Sequence, residues 1–378
     1  MQFSAGLFTI ALAGFAALTS AQPHRHSHHG RAHVKPRDMY TAWVTKTVDQ
    51  NGNPYAAPTP TPSASTHSPQ ENKAEPTPTS ASEFSFASSA AAPTGSPTIP
   101  DDLSAGTNAN KGVTGIDSDF PNGELDCSTF PSAYGAMPLS WVTKDGWSGI
   151  QNGNANDDHI GVCTEGALCS YACPPGYSKA QWPENQPLDG QSRGGLLCKN
   201  GKLYRTRDSY TKLCQAGQGT AKVENTLDKM IAFCRTDYPG SENMVVPLSA
   251  DPGTTTTLTV PSADNSYVWR GNPSSAQYYV NNAGIDLQDG CVWGPPNGGR
   301  GNWSPLVVGA GYREGKTWLS ISQNNLNSDA ANFNIRIEAI GDAQCSQDCR
   351  YENGKFSTGD AVGCTVAVTG GVAKFVLY

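Results

Sequence analysis

Eleven cysteines, none of them before residue 127, constrain this 378-residue chain more than any other feature. They stand at positions 127, 163, 169, 173, 198, 214, 234, 291, 345, 349 and 364. In an exported chain such a set pairs into disulfides, which pin loop-rich segments that a small core alone holds poorly. The odd number leaves at least one cysteine unpaired or bonded to another chain. Cys163, Cys169 and Cys173 are crowded enough to suggest a metal knot. However, His159 is the only histidine in that region, and Cys169-Ser-Tyr-Ala-Cys173 lacks the tight pairing of structural zinc. Disulfides are therefore expected, and no metal.

Upstream of the cysteines the chain reads as export and spacing segments. An apolar run from Leu7 to Leu18 leads to Thr19-Ser20-Ala21. It is shorter than the roughly 20 residues a membrane span needs, so residues 1–21 read as a signal peptide cleaved after Ala21. Residues 22–55 hold five histidines between His24 and His33, then Lys35-Pro36-Arg37. They read as a leader or propeptide trimmed near Arg37, followed by a disordered arm. Residues 56–114 are dominated by Thr, Ser, Pro and Ala, with too little apolar side chain to offset chain entropy. An extended, O-glycosylated spacer is expected there. No later stretch is long and apolar enough for a transmembrane anchor, and the C-terminal residues lack a lipid-anchor signal.

Residues 115–378 form the folded region, long enough for a real core. The Cys-rich first part, 115–248, predicts pinned loops and one helix, because Val223, Leu227, Met230/Ile231 and Cys234 recur at helical spacing before Pro239-Gly240. The β-rich second part, 249–378, predicts strands at 255–260, 277–280, 306–310, 317–322, 332–340, 364–368 and 373–377. Gly370-Gly371 between the last two reads as a hairpin turn. The fold class is mainly β with a minor helical, disulfide-rich part, arranged as a β-sandwich.

Function narrows by elimination. Lys plus Arg number 26 against 33 for Asp plus Glu, a net charge of −7 without a basic stripe, which excludes nucleic acid as a partner. There is no phosphate-binding glycine loop and no His-x-x-x-His pair, so no cofactor is expected. A serine triad is left with His159 alone, in a polar loop with no nucleophile elbow. Carboxylates beside aromatic residues remain. Glycoside hydrolysis uses one carboxylic acid to protonate the leaving oxygen and a second carboxylate roughly 5–10 Å away. Candidates are Glu165, Asp189, Asp237, Glu242, Asp286 and Asp289. Glu242 is favoured as the acid and Asp289 as its partner, with Asp237 and Asp286 as alternates. Trp147, Trp182, Trp293 and Trp303 are candidates for stacking on sugar rings. Asn302-Trp303-Ser304 is a glycosylation sequon, which predicts an exposed loop and a glycan on Asn302.

Several segments resemble signatures of the fungal SUN family. They are Cys127-Ser-Thr-Phe-Pro-Ser132, Gly146-Trp-Ser-Gly-Ile-Gln151, Cys169-Ser-Tyr-Ala-Cys-Pro-Pro-Gly-Tyr-Ser-Lys-Ala-Gln-Trp-Pro183 and Gly190-Gln-Ser-Arg-Gly-Gly-Leu-Leu-Cys198. Cys234-Arg-Thr-Asp-Tyr-Pro-Gly-Ser-Glu-Asn243 and Asp289-Gly-Cys-Val-Trp-Gly294 complete the set. The resemblance implies a secreted or wall-associated β-glucosidase-like protein acting in septation, cell separation and wall remodelling. It implies β-1,3-glucan, laminari-oligosaccharides or another cell-wall polysaccharide as the partner. It carries over no catalytic pair. A thaumatin-like sandwich is a fold-level analogy only. The competing expectation is a non-catalytic glucan-binding or wall-organising protein, with an aromatic groove and no acid pair.

Overall fold

The computed structural model describes residues 8–13, 43–48, 113–151, 161–186, 191–238, 242–269, 272–359 and 362–378. The cleavage region at Ala21, the histidine-rich leader, the spacer, His159, Asp189 and Pro239-Gly240 lie outside the described residues. The chain divides into two units, Met1–Gly95 and Ser96–Tyr378. In the first, Phe8–Ala13 and Trp43–Val48 pair as antiparallel strands.

Two large sheets organise the second unit. The seven-stranded sheet runs, in spatial order, Met244–Ala250, Ile231–Thr236, Ala276–Val280, Leu306–Arg313, Lys316–Gln323, Gly363–Thr369 and Gln344–Cys345. The six-stranded sheet runs Thr255–Leu258, Ala221–Asn225, Val372–Leu377, Ile335–Ile340, Arg350–Glu352 and Lys355–Phe356. Every second side chain of strands such as Ala221–Asn225 and Ala276–Val280 is buried, as the period of a pleated strand requires. The buried sets meet in one cluster that includes Val223, Phe233, Tyr278, Ile321, Ile335 and Phe375. Each such side chain taken out of water contributes roughly 1.5–3 kcal/mol.

The cysteine-rich segment before Ala221 builds a smaller layer. Gly149–Gln151, Leu168–Ser170, Leu196–Lys199 and Lys202–Tyr204 make a four-stranded sheet, and Tyr177–Lys179 pairs with Cys214–Ala216. These strands are short, and Cys127–Cys198, Cys163–Cys169 and Cys173–Cys214 brace them. The three cysteines of the suspected metal knot are thus all spent in disulfides. Cys234–Cys291 and Cys349–Cys364 complete the pairing, and Cys345 is the free thiol.

Three sequence expectations are corrected here. The segment read as a helix is two strands, Ala221–Asn225 and Ile231–Thr236, with a turn between them. Its apolar residues match a helical period only across that turn, whereas within Ala221–Asn225 they alternate and within Ile231–Cys234 all four are buried. The boundary at 248/249 falls inside the strand Met244–Ala250, and three strands from the first part belong to the large sheets. Gly370-Gly371 makes no hairpin: with φ of 74° and 155° it carries the chain from the seven-stranded to the six-stranded sheet. Such φ values are open to glycine and strained in other residues. The only α-helix among the described residues is the single turn Leu287–Gly290, capped by the Asp286 side chain.

The pairing predicts one titratable thiol in the denatured, unreduced chain. Peptide mapping after alkylation should place the label on Cys345; label on any other cysteine contradicts the connectivity.

Candidate active site

The site is built on a buried ion pair. Lys179 ends the strand Tyr177–Lys179, and Asp237 follows the strand Ile231–Thr236 just past a β-bulge at Arg235/Thr236. Lys179 Nζ donates to Asp237 Oδ2 at 2.7 Å, to Ser170 Oγ at 2.8 Å and to the Gly194 carbonyl at 3.2 Å. The two side chains are only 1% and 0% exposed. Burial pushes the Asp237 carboxyl up and the Lys179 ammonium down, and their mutual attraction opposes both shifts. Three donors on one ammonium satisfy it completely, which is the condition for keeping such a charge inside a protein.

Asp237 also shapes the backbone. Its N–H donates to the Asn243 carbonyl at 2.9 Å and its carbonyl accepts from Glu242 N–H at 3.0 Å, closing a tight loop. At the end of that loop Glu242 has φ of 49°, in the left-handed region. A non-glycine residue there is uncommon and is held by its surroundings. Gly149 leaves room for the next side chain: a Cβ on it falls 2.0 Å from Asn243 Oδ1.

Glu242 opens into a small pocket walled by Ser148, Asn243, Met244, Cys291, Trp293 and Asn302, among others. The strand Ala276–Val280 supplies the partner of its carboxylate, Tyr279, whose hydroxyl donates to Oε2 at 2.9 Å. Desolvation raises the Glu242 carboxyl to about 7, against the smaller opposing effect of the Tyr279 bond. The opposite wall is anchored by the Cys234–Cys291 disulfide and by Trp141 Nε1 donating to the Cys291 carbonyl at 3.1 Å. Trp293 is 47% exposed at this wall. Behind the pocket, Ser148 Oγ bonds Ser170 Oγ at 2.8 Å, which reaches Lys179 and Asp237.

The other residues singled out from the sequence are placed differently. Asp237 is sealed behind the pocket in its ion pair. Asp286 caps the helical turn by accepting from Asp289 N–H at 2.8 Å. Asp289 is exposed, 3.7 Å from Arg300. It is two residues from the Cys291 wall but does not itself line the pocket, so Glu242 is the one carboxylate among the described lining residues. Glu165 is exposed and accepts from Asn200 and Gly201 N–H, which holds its carboxyl below the usual range. Trp147 is fully buried, edge-on to Phe130 at 5.0 Å, and leaves no face for a sugar. Trp182 is half-buried and already engaged, stacked on Tyr267 at 4.2 Å with the Lys179 ammonium 4.3 Å from its ring. Trp303 is half-buried in the 3-10 turn Gly301–Trp303.

The sequon also proves to be internal. Asn302 is 6% exposed, its Oδ1 accepts from Gly294 N–H at 2.9 Å, and Ser304 is fully buried. An Asn302 glycan therefore does not fit this folded state. Sequence reasoning missed Tyr279, Ser170 and Lys179. A lysine inside the cysteine- and aromatic-rich segment Cys169–Pro183 was the one available signal, whereas Tyr279 looks like any strand tyrosine.

The sequence pattern of the family described as beta-glucosidase (SUN family) matches residues 122–366. The chain is 50% identical over 260 residues to the probable secreted beta-glucosidase UTH1 of Saccharomyces cerevisiae, covering 69% of this chain and 71% of that protein. It is 52% identical to the probable secreted beta-glucosidase PSU1 of Schizosaccharomyces pombe, covering 68% and 61%. It is 50% identical to the secreted beta-glucosidase SUN41 of Candida albicans, covering 69% and 62%. No solved structure matches the chain significantly.

Lys179→Met should lower stability by about 3–5 kcal/mol, because it leaves Asp237 buried and unpaired. Lys179→Met combined with Asp237→Leu should recover a large part of that loss in chemical denaturation. A single variant as stable as the parent contradicts the role given to this pair.

Proposed function

The chain belongs to the SUN family of β-glucosidases, and on that premise we propose that residues 115–378 are a secreted fungal cell-wall β-glucosidase. Its substrate is β-1,3-glucan or the derived laminari-oligosaccharides, and its setting is wall remodelling, septation and cell separation. The observation that carries this reading is Glu242, a carboxyl raised to about 7 at the edge of a pocket that also holds an exposed tryptophan. A glycosidase acid has to be protonated near neutral pH, and desolvation achieves that.

In this reading Glu242 delivers its proton to the glycosidic oxygen as the bond to the anomeric carbon breaks. Tyr279 fixes the carboxyl and then stabilises the carboxylate left behind. Trp293 stacks on a sugar ring and sets its position against the acid. Asp289, carried by the turn that leads into the Cys291 wall, is the carboxylate proposed to meet the developing positive charge or activate water. We also read the two large sheets as a β-sandwich of thaumatin-like type; the single apolar cluster to which both contribute supports this. The signal peptide, leader and Ser/Thr/Pro spacer belong to the same proposal, as the means of export and of reach into a wall.

A second reading, a glucan-binding or wall-organising protein without turnover, is favoured by one observation: Glu242 is the lone carboxylate among the described pocket-lining residues. Incubation of the purified full chain with laminari-oligosaccharides and product analysis separates the two. Hydrolysis should fall about 10²–10⁴-fold in Glu242→Gln and strongly in Asp289→Asn. Undiminished turnover in Glu242→Gln removes the assigned acid, and binding without turnover by the parent protein selects the second reading.

A further inference from the structure

Lys179 also lines a second pocket, between the ribbon Tyr177–Lys179/Cys214–Ala216 and the loop around Tyr267. Trp182, Arg207, Gln215, Arg235 and Tyr267 line it together with Lys179. No Asp or Glu is among the described lining residues. In a chain of net charge −7, three cations facing one pocket are a local reversal of sign.

The cations are not equivalent. Lys179 spends its donors on Asp237, Ser170 and Gly194 and contributes only its field. Arg235, on the strand Ile231–Thr236, donates Nη1 to Ser178 Oγ at 2.6 Å and forms no ion pair among the described residues. Burial pushes its pKa down, against the opposing pull of Tyr278 and Asp237. Among the described residues Arg207 makes long hydrogen bonds, Nε to Ser209 Oγ at 3.3 Å and Nη1 to the Asn265 carbonyl at 3.4 Å. Among the described residues the one carboxylate ion-paired with these three cations is Asp237, and its partner is Lys179. The cluster is therefore short of negative charge, which a desolvated guanidinium recovers best from a tetrahedral oxyanion gripped by its planar fork. The stacked Trp182 and Tyr267 rings border the site with apolar surface, and Gln215 adds an amide.

We propose that this second pocket binds a phosphate group, with Arg235 and Arg207 holding its oxygens and Trp182–Tyr267 bordering whatever carries it. This assignment does not rest on the hydrolytic reading of Glu242. Isothermal titration of the full chain with inorganic phosphate, glucose 6-phosphate and glucose tests it. Glucose 6-phosphate binding more tightly than phosphate identifies a phosphorylated sugar as the ligand; equal affinities identify the free oxyanion. In either case Arg207→Gln, a change at a partly exposed side chain, should weaken binding about tenfold or more, the usual loss for a charge-assisted hydrogen bond. It should leave laminari-oligosaccharide hydrolysis unchanged, which keeps the two proposals separate. Arg235→Gln should weaken binding further. No binding of either phosphate compound, glucose binding as tightly as glucose 6-phosphate, or affinity unaltered in Arg207→Gln overturns the proposal.

Discussion

The Lys179–Asp237 ion pair is the constraint on which the rest of the site depends. It joins the small disulfide-braced layer, through Lys179, to the seven-stranded sheet, through the chain leaving Ile231–Thr236. Buried pairs of this kind are often no more stabilising than an apolar substitute. What it provides here is a fixed position for Asp237, whose main-chain N–H and carbonyl hold Asn243 and Glu242. Glu242, held there by its N–H bond to the Asp237 carbonyl, is left-handed, bonded to Tyr279 and desolvated. The Cys234–Cys291 disulfide does the corresponding work on the facing wall.

The local parts of this arrangement were legible in the sequence. Apolar patterning marks most strands of the second part, and Glu242 and the Cys291–Trp293 segment, which share a pocket in the fold, both stand out in the sequence. What stayed hidden was long-range. Lys179 and Asp237 stand far apart in the chain, and no period or spacing relates them. The strand Ala221–Asn225 imitated a helix because its apolar set runs on across a turn into Ile231–Thr236. Trp147, Trp182 and Asn302 sit among Gly and Pro and read as loop residues, yet tertiary packing claims all three. Loop composition reports backbone freedom and says little about which side chains the rest of the fold covers.

Four of the six segments that carry the family resemblance converge in space. Gly146–Gln151 brings Ser148, Cys169–Pro183 brings Ser170 and Lys179, Cys234–Asn243 brings Asp237 and Glu242, and Asp289–Gly294 brings Cys291 and Trp293. Their physical relation is a single polar chain from Ser148 through Ser170 to the ion pair, with Glu242 at its open end. The desolvation that raises the Glu242 carboxyl has a cost in stability. Its carboxyl binds a proton more tightly folded than unfolded, so the folded state weakens as pH rises from about 4.5 to about 7. A raised carboxyl at this position is therefore a local sacrifice of the kind expected at a working site.

The central claim is that Glu242 acts as the protonated acid and that Tyr279 tunes it. The hydroxyl of Tyr279 stabilises the carboxylate, so removing it must raise the carboxyl further. The most direct test is the pH dependence of kcat/KM on laminari-oligosaccharides for the parent protein and Tyr279→Phe. The alkaline limb should lie near pH 7 in the parent and move to higher pH in the variant. A limb that stays in place when Tyr279 is removed, or lies far from 7 in the parent, contradicts the assignment of Glu242.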